Sequence, residues 1–444
     1  MKICFVPIDN RPVCYNLAKD IASIDEDIEL FLPPREFLGD LTKTADIDGL
    51  MLWLEKIPQC DAIVLSLDTL AYGGLIPSRR GKESFDEIKY RIETLKAILE
   101  YKHAKIHAFS SIMRISNNNY NEEEKEYWKD YGKKIFEYSY NSHKFGHADL
   151  SEIPHDILED YLNTRKRNFE INKIYLEWQK EGFFDTLVFS KDDCAEFGLN
   201  VKEAKELESL GGFTKTGADE IPLTLLARAI KKEIKVFVEY TEPDCKDLIS
   251  NYEDVSIEKS VLGQLDLGGF KVVNALNDAD LVLIVNNFRE KQGELVMGWE
   301  TNGKYQGPFV PPGKPYAVAD VRYANGADNE FVNELLPNIN NNFYGYAGWN
   351  TSANTLGSLL AGVKVKYNAM QYNENAFKKL QMIRFLDDWA YQANVRKQID
   401  KPCDISDLMK PYEENLSKIL EYKPLHQILY DYPWDRKFEV EIGL

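Results

Sequence analysis

Two adjacent aspartates, Asp192 and Asp193, lie just beyond an apolar run at residues 186–189. Neighbouring carboxylates repel, so one of them holds its proton more strongly when partly buried. Such a pair can divide acid–base work: one acid protonates a glycosidic leaving group while the other orients substrate or water. Helix capping and divalent-metal binding are competing uses of the same residues. Cys194 follows the pair, and adjacent negative charge disfavours its thiolate, so it reads as structural.

Other polar residues recur at similar places after apolar runs. Asp9, Asn10 and Arg11 sit between Pro7 and Pro12, two prolines that stiffen the loop. A carboxylate, an amide and a guanidinium in sequence suit a polyhydroxylated or anionic ligand; a capped turn is the plainer use. The loop 66–80 carries Asp68, Tyr72, Gly73-Gly74 and Arg79. Its glycines allow backbone to approach a ligand closely, and Arg79 suits a carboxylate or phosphate. Arg114 follows another run, ahead of three asparagines. Asp219 and Glu220 form a second acid pair, at a place where helix capping also accounts for them. Asn286, Asn287, Asp320, Arg322, Trp349, Asn350 and Asn354 close the set. An aromatic face with amide and carboxylate groups is what a sugar pocket uses. Asn350 and Asn354 share a face if a helix begins near Thr351, and core packing by Trp349 is the alternative.

Several chemistries lack their signatures. Neither GxxxxGK[ST] nor GxGxxG is present, and no GxSxG elbow surrounds a serine. His143, His147 and His155 cluster around Asp149 without an HExxH pattern, so a surface or hinge role fits them better than zinc. The six cysteines include no CxxC pair and are too few for a disulfide scaffold.

The elements that must hold these residues alternate. β-type runs at 3–6, 29–32, 62–65, 105–109 and 186–189 are separated by helical or polar sequence, as in a parallel sheet covered by helices. A second series runs through 235–238, 254–257, 281–285, 317–319 and 343–346. Residues 83–101 repeat apolar positions every three or four residues, and 121–137 open with Asn121 and three glutamates, a helix-start signature. About 75 residues separate the fourth and fifth runs, more than one crossover needs, which predicts a helical wall. The expected fold is α/β: two Rossmann-like parallel-sheet domains, residues 1–215 with a helical insert at 115–180 and residues 216–365, followed by a mainly helical subdomain at 366–444. A (β/α)8-like barrel is the alternative; both place the polar loops at the carboxyl edge of the strands.

Composition narrows the function. The 444 residues carry 54 Lys plus Arg against 72 Asp plus Glu, a net charge of −18. That balance disfavours nonspecific attraction to nucleic acid or anionic lipid. No apolar run approaches a membrane span, and Asp9 and Arg11 arrive too early for a signal peptide, so a cytoplasmic setting is expected.

The segments VPIDNRP at 6–12, SLDTLAYGGLIPSR at 66–79, KDDCAEFG at 191–198, GADE at 217–220, DVRYANGAD at 320–328 and GYAGWNTSANTLG at 345–357 occur in one order. In them the chain resembles, over nearly its whole length, a bacterial family catalogued as a domain of unknown function, number 4127. That likeness supplies positions and no reaction. The paired aspartates at a strand end separately resemble hexosaminidases that use the substrate's acetamido group as nucleophile. The leading expectation is a hydrolase of a small carbohydrate, an amino-sugar glycoside, with Asp192 and Asp193 catalytic and the other residues shaping the pocket. The alternatives are a divalent-metal-dependent phosphate or amide hydrolase and a non-catalytic sugar or metabolite binding protein. No organic cofactor is expected, a divalent metal stays open, and the expected partner is a small polar ligand, with no nucleic acid and no membrane. The sequence does not specify the oligomeric state.

Overall fold

The computed structural model describes residues 1–149 and 152–444. The chain divides into two compact units, and neither is a single stretch. Unit 1 comprises Met1–Tyr15, Glu29–Pro222 and Tyr252–Asp254; unit 2 comprises Asn16–Ile28, Leu223–Asn251 and Val255–Leu444.

Unit 1 is built on a parallel sheet of β1 (Lys2–Val6), β2 (Glu29–Phe31), β3 (Ala62–Ser66), β4 (Lys105–Ile112), β5 (Thr186–Lys191) and β6 (Thr214–Thr216). The spatial order is β2-β1-β3-β4-β5-β6, with Ile3 opposite Ala62 and Ile63 opposite Ile106. β3 is buried along its whole length, which is why its sequence is continuously apolar rather than alternating. The helices supply the cover. In the helix Phe85–Glu100, Ser84 and Glu87 form a reciprocal capping box, and Ile88, Ile92, Leu95 and Leu99 make one buried stripe. Each such side chain contributes roughly 1.5–3 kcal/mol over an exposed one. The strand order reverses between β1 and β3, and at such a switch point the loops at the carboxyl edge part to leave a crevice.

The insert forms two long helices, Trp128–Phe145 and His155–Lys180, packed through Trp128, Ile135, Leu158 and Tyr161. The first begins at Trp128, not at Asn121 as its glutamates suggest. Glu123 and Glu124 pair with Arg79 and Arg114 instead of a helix dipole.

Unit 2 contains a parallel sheet of β7 (Lys235–Tyr240), β8 (Lys271–Val272), β9 (Leu281–Asn286), β11 (Tyr316–Asp320) and β13 (Phe343–Ala347). The short strands β10 (Gly293–Glu294) and β12 (Tyr323–Ala324) pair with each other outside it. The order β13-β11-β9-β7-β8 repeats, strand for strand, the first five positions of the unit 1 sheet. The run 254–257 is not a strand: Ser256 caps the helix Ile257–Leu267, and Lys271–Val272 takes the edge. β-branched residues there lie across a helix start, which local pattern cannot distinguish from an edge strand.

The C-terminal residues belong to unit 2 rather than to a separate subdomain. They form the helices Glu374–Arg384 and Ser406–Ile419, a π-helical stretch at Phe385–Val395, and an antiparallel pair of β14 (Leu429–Asp431) and β15 (Glu441–Gly443). Phe385 stacks on Tyr346 with ring centroids 4.5 Å apart, and Asp388 accepts the Gly348 amide at 2.8 Å. Asn16–Ile28 also belongs there, because its helix Asn16–Ala22 packs on Glu374–Arg384 and Asp25 accepts the amides of Met370 and Gln371. No helix among the described residues is long and apolar enough to cross a membrane.

Candidate functional site

The polar residues of unit 1 leave their strands at the carboxyl edge and meet as an ion network. After β1, Asp9 accepts both the backbone amide and Nε of Arg11, each at 2.9 Å. Arg11 Nη2 reaches Asp219 at 2.6 Å, beyond β6. Asp9, Cys14 and Asp219 bring ligand atoms within 4.8 Å of one another, a spacing suited to a cation. The Arg11 guanidinium bonds both carboxylates and supplies that positive charge itself. Burial pushes the Asp219 carboxyl up to about 6 against the pull of Arg11, with Asp9 and Asp192 adding repulsion. Asn10 holds this loop through its backbone: its amide donates to Gly39 and its carbonyl accepts Arg35 Nε at 2.8 Å. Glu220 turns back on its own loop and accepts the Ala218 amide.

After β3, Ser66 caps the short helix Leu67–Tyr72. Asp68 is buried and accepts the Ser111 amide at 2.8 Å, and burial raises its carboxyl to about 7. The Tyr72 hydroxyl is buried with no hydrogen-bond partner among the described residues. Gly73 and Gly74 have φ of +86° and +133°; at Gly73 a Cβ would also lie 3.1 Å from the Ala45 nitrogen. This turn leads into the helix Leu75–Arg80, which places Arg79 1% exposed under the acid cluster. Arg79 Nε lies 3.3 Å from Glu124, while its Nη1 has no hydrogen bond among the described residues and stands 3.8 Å from Asp192.

Arg114, two residues past β4, is the hub. It contacts Glu123 at 2.8 Å, Glu124 at 3.0 Å, Asp193 at 3.1 Å and Asp192 at 3.2 Å. Arg11, Arg79 and Arg114 together serve six carboxyls, so negative charge is in excess. Protonation is one way to relieve that excess. Burial and the charge of Asp192 push Asp193 up to about 7. Asp193 keeps 39% of its side chain exposed and has φ +40°, a left-handed conformation that Asp tolerates better than most residues. The loop is tethered on both sides. Lys191 pairs with buried Asp254, which also accepts the Thr216 hydroxyl, and the Cys194 amide donates to the Tyr252 carbonyl. Burial and the Asp254 charge hold the Cys194 thiol in its protonated form.

The unit 2 residues form a different network, at the carboxyl edge of their own sheet. Asn286 donates to Asp320 at 2.8 Å and accepts Arg322 Nε at 3.2 Å. Arg322 is 0% exposed; it pairs with Glu242 at 3.1 Å and Asp328 at 3.2 Å and donates to the Gly303 carbonyl. Asn287 exchanges two hydrogen bonds with the backbone of Glu242. Tyr346 donates to Asp320, whose carboxyl burial raises to about 7. Trp349 is buried and its carbonyl accepts Thr355. Asn350 has φ +59° and its carbonyl accepts the Asn325 amide. Asn354 lies in the first turn of the helix Ser352–Asn368, its side-chain carbonyl buried without a hydrogen-bond partner among the described residues.

The sequence matches the model of a family described as protein of unknown function (DUF4127) over residues 3–443. The chain belongs to that family. No curated protein and no solved structure matches it. For this DUF4127 chain the proposed site residues thus divide into two networks. Unit 1 holds Asp9, Asn10, Arg11, Asp68, Tyr72, Arg79, Arg114, Asp192, Asp193, Asp219 and Glu220; unit 2 holds Asn286, Asn287, Asp320, Arg322, Trp349, Asn350 and Asn354. Sequence reasoning missed the acids that complete them: Glu123, Glu124 and Asp254 in unit 1, Glu242 and Asp328 in unit 2. Glu123 and Glu124 were visible as an acidic run, and Asp328 lies inside the 320–328 motif. Asp254 and Glu242 carry no local signal.

Proposed function

We propose that unit 1 carries a hydrolytic site for a small carbohydrate, an amino-sugar glycoside, with Asp193 as proton donor and Asp192 as the fixed carboxylate. The observation that carries this reading is the unequal setting of two adjacent acids on one guanidinium. Asp193 is the more exposed, strained in backbone, and raised to about 7, so near neutral pH a large share of it holds a proton it can give to a leaving oxygen. Asp192 lies between Arg114 at 3.2 Å and Arg79 at 3.8 Å, which hold its carboxyl in place. An oriented carboxylate there can hold an acetamido N–H or stabilise positive charge developing at the sugar carbon. Asp9, Arg11 and Asp219 supply donors and acceptors for hydroxyl groups.

Turnover of a panel of chromogenic glycosides tests this. The wild-type protein is expected to release chromophore, and Asp193→Ala to lose about 100-fold or more of that rate. No turnover between pH about 4 and 8, with or without added divalent metal, overturns the reading.

A further inference from the structure

Lys366 lies in the last turns of the helix Ser352–Asn368. Its Nζ donates to the carbonyl of Phe343, the first residue of β13, at 2.8 Å. This is the amino edge of the unit 2 sheet, opposite the edge that carries Asp320 and Arg322. A cavity of about 480 Å³ opens beside the amine, lined by Tyr344, Tyr372, Phe377, Lys378, Gln381 and Glu421 among others. Nζ stands 3.4 Å from the ring centroid of Phe377, 4.6 Å from Tyr344 and 5.5 Å from Tyr372.

No carboxylate pairs with Lys366 among the described residues. Glu374, the acid whose charge reaches it, is engaged by Lys378 at 2.9 Å, and Glu421 faces Lys378 at 3.7 Å. A buried structural lysine ordinarily has a carboxylate partner. Here the amine has one backbone acceptor, three aromatic faces and open volume. Burial pushes it down to about 7, and Glu374 offsets only part of that push. A lysine amine whose charge is disfavoured, at the wall of an open cavity, is the usual form of an activated nitrogen nucleophile.

We propose that Lys366 captures a small carbonyl compound, an aldehyde or ketone with an apolar or aromatic body, as an imine in this cavity. The amine nitrogen attacks the carbonyl carbon and forms the C–N bond. The resulting carbinolamine loses the former carbonyl oxygen as water, which carries away both amine hydrogens and leaves C=N. No oxidant or reductant takes part. The rings of Tyr344, Tyr372 and Phe377 supply the apolar surface that holds the body of the ligand.

The test uses the intact protein with benzaldehyde and sodium cyanoborohydride at pH about 7, which traps any imine as a secondary amine, followed by peptide mass mapping. Lys366 is expected to be alkylated at least about tenfold faster than exposed Lys89 and Lys129, with a rate that saturates in benzaldehyde. Glu374→Gln removes the charge that favours the ammonium, so labelling of Lys366 at pH about 6 should rise. Labelling no faster than at Lys89, a rate that climbs without saturation, or no gain in the Glu374→Gln variant each overturns the proposal.

Discussion

Arg114 and Arg322 stand at corresponding places, each two residues past the fourth strand of its sheet, β4 in one unit and β11 in the other. Both use all three guanidinium nitrogens. Their partners differ. Arg322 is enclosed and meets two acids, Glu242 at 11% and Asp328 at 1% side-chain exposure. Arg114 meets four, of which Asp192, Asp193 and Glu123 remain 20–39% exposed. An enclosed, dry network locks strand ends together. A network with surplus acid, open to water, retains carboxyl groups whose protonation can change when a ligand arrives. One position in a doubly wound sheet thus serves as a lock in unit 2 and as a candidate reaction edge in unit 1.

Substitutions at the two arginines break or sharpen that contrast. Arg322→Met strands the carboxyl of Asp328 in the interior, leaves Glu242 with Arg289 alone, and should cost about 3–5 kcal/mol in urea unfolding. Arg114→Met leaves acids that water can reach and should cost about 1–2 kcal/mol. Equal losses would end the distinction. Asp193→Asn reads the other side of it: glycoside turnover is expected to fall about 100-fold while stability moves by less than about 1 kcal/mol. A protein that unfolds without losing turnover per folded molecule would place Asp193 among the structural residues.

The buried carboxyls set a pH dependence. Asp68 and Asp320 are each raised to about 7 in the folded protein, chiefly by burial. Between pH about 4 and 7 the folded chain keeps protons that the unfolded chain has released, so stability falls as pH rises. Their contribution is fully present below pH about 4 and lost above about 7. Urea midpoints should therefore decline between pH about 5.5 and 7.5, and Asp68→Asn should flatten that slope by on the order of 1 kcal/mol. The smallest effect concerns Asn350. Its left-handed backbone makes Asn350→Gly nearly neutral, within about 0.5 kcal/mol, whereas a larger loss would show that its side chain holds the loop.

Much of this architecture was legible in the residues, for local reasons. Continuous apolar runs such as 62–65 and 281–285, short and rich in β-branched residues, suit central strands of a covered sheet, and the polar residues just past them fall at its carboxyl edge. That is why Asp9, Arg114, Asp192 and Asp219 could be placed at that edge from their positions in the chain. Pairing across long separations was not legible. Nothing near Glu123 distinguishes a helix-start acid from the partner of Arg79, and nothing near Asp254 announces Lys191. The runs 29–32 and 254–257 look alike, yet one is an edge strand and the other spans a helix cap, because backbone partners outside the window decide between them.

The interleaving of the two units carries a consequence for synthesis. Lys191 waits for Asp254, and the helix Asn16–Ala22 waits for Glu374–Arg384. As the chain leaves the ribosome, residues 1–222 emerge with one of their internal charges still uncompensated, and an early helix stays without its packing surface until most of the protein has been made. A fragment ending at residue 215 should inherit that deficit permanently, so the two units are products of one translation event and not separable modules.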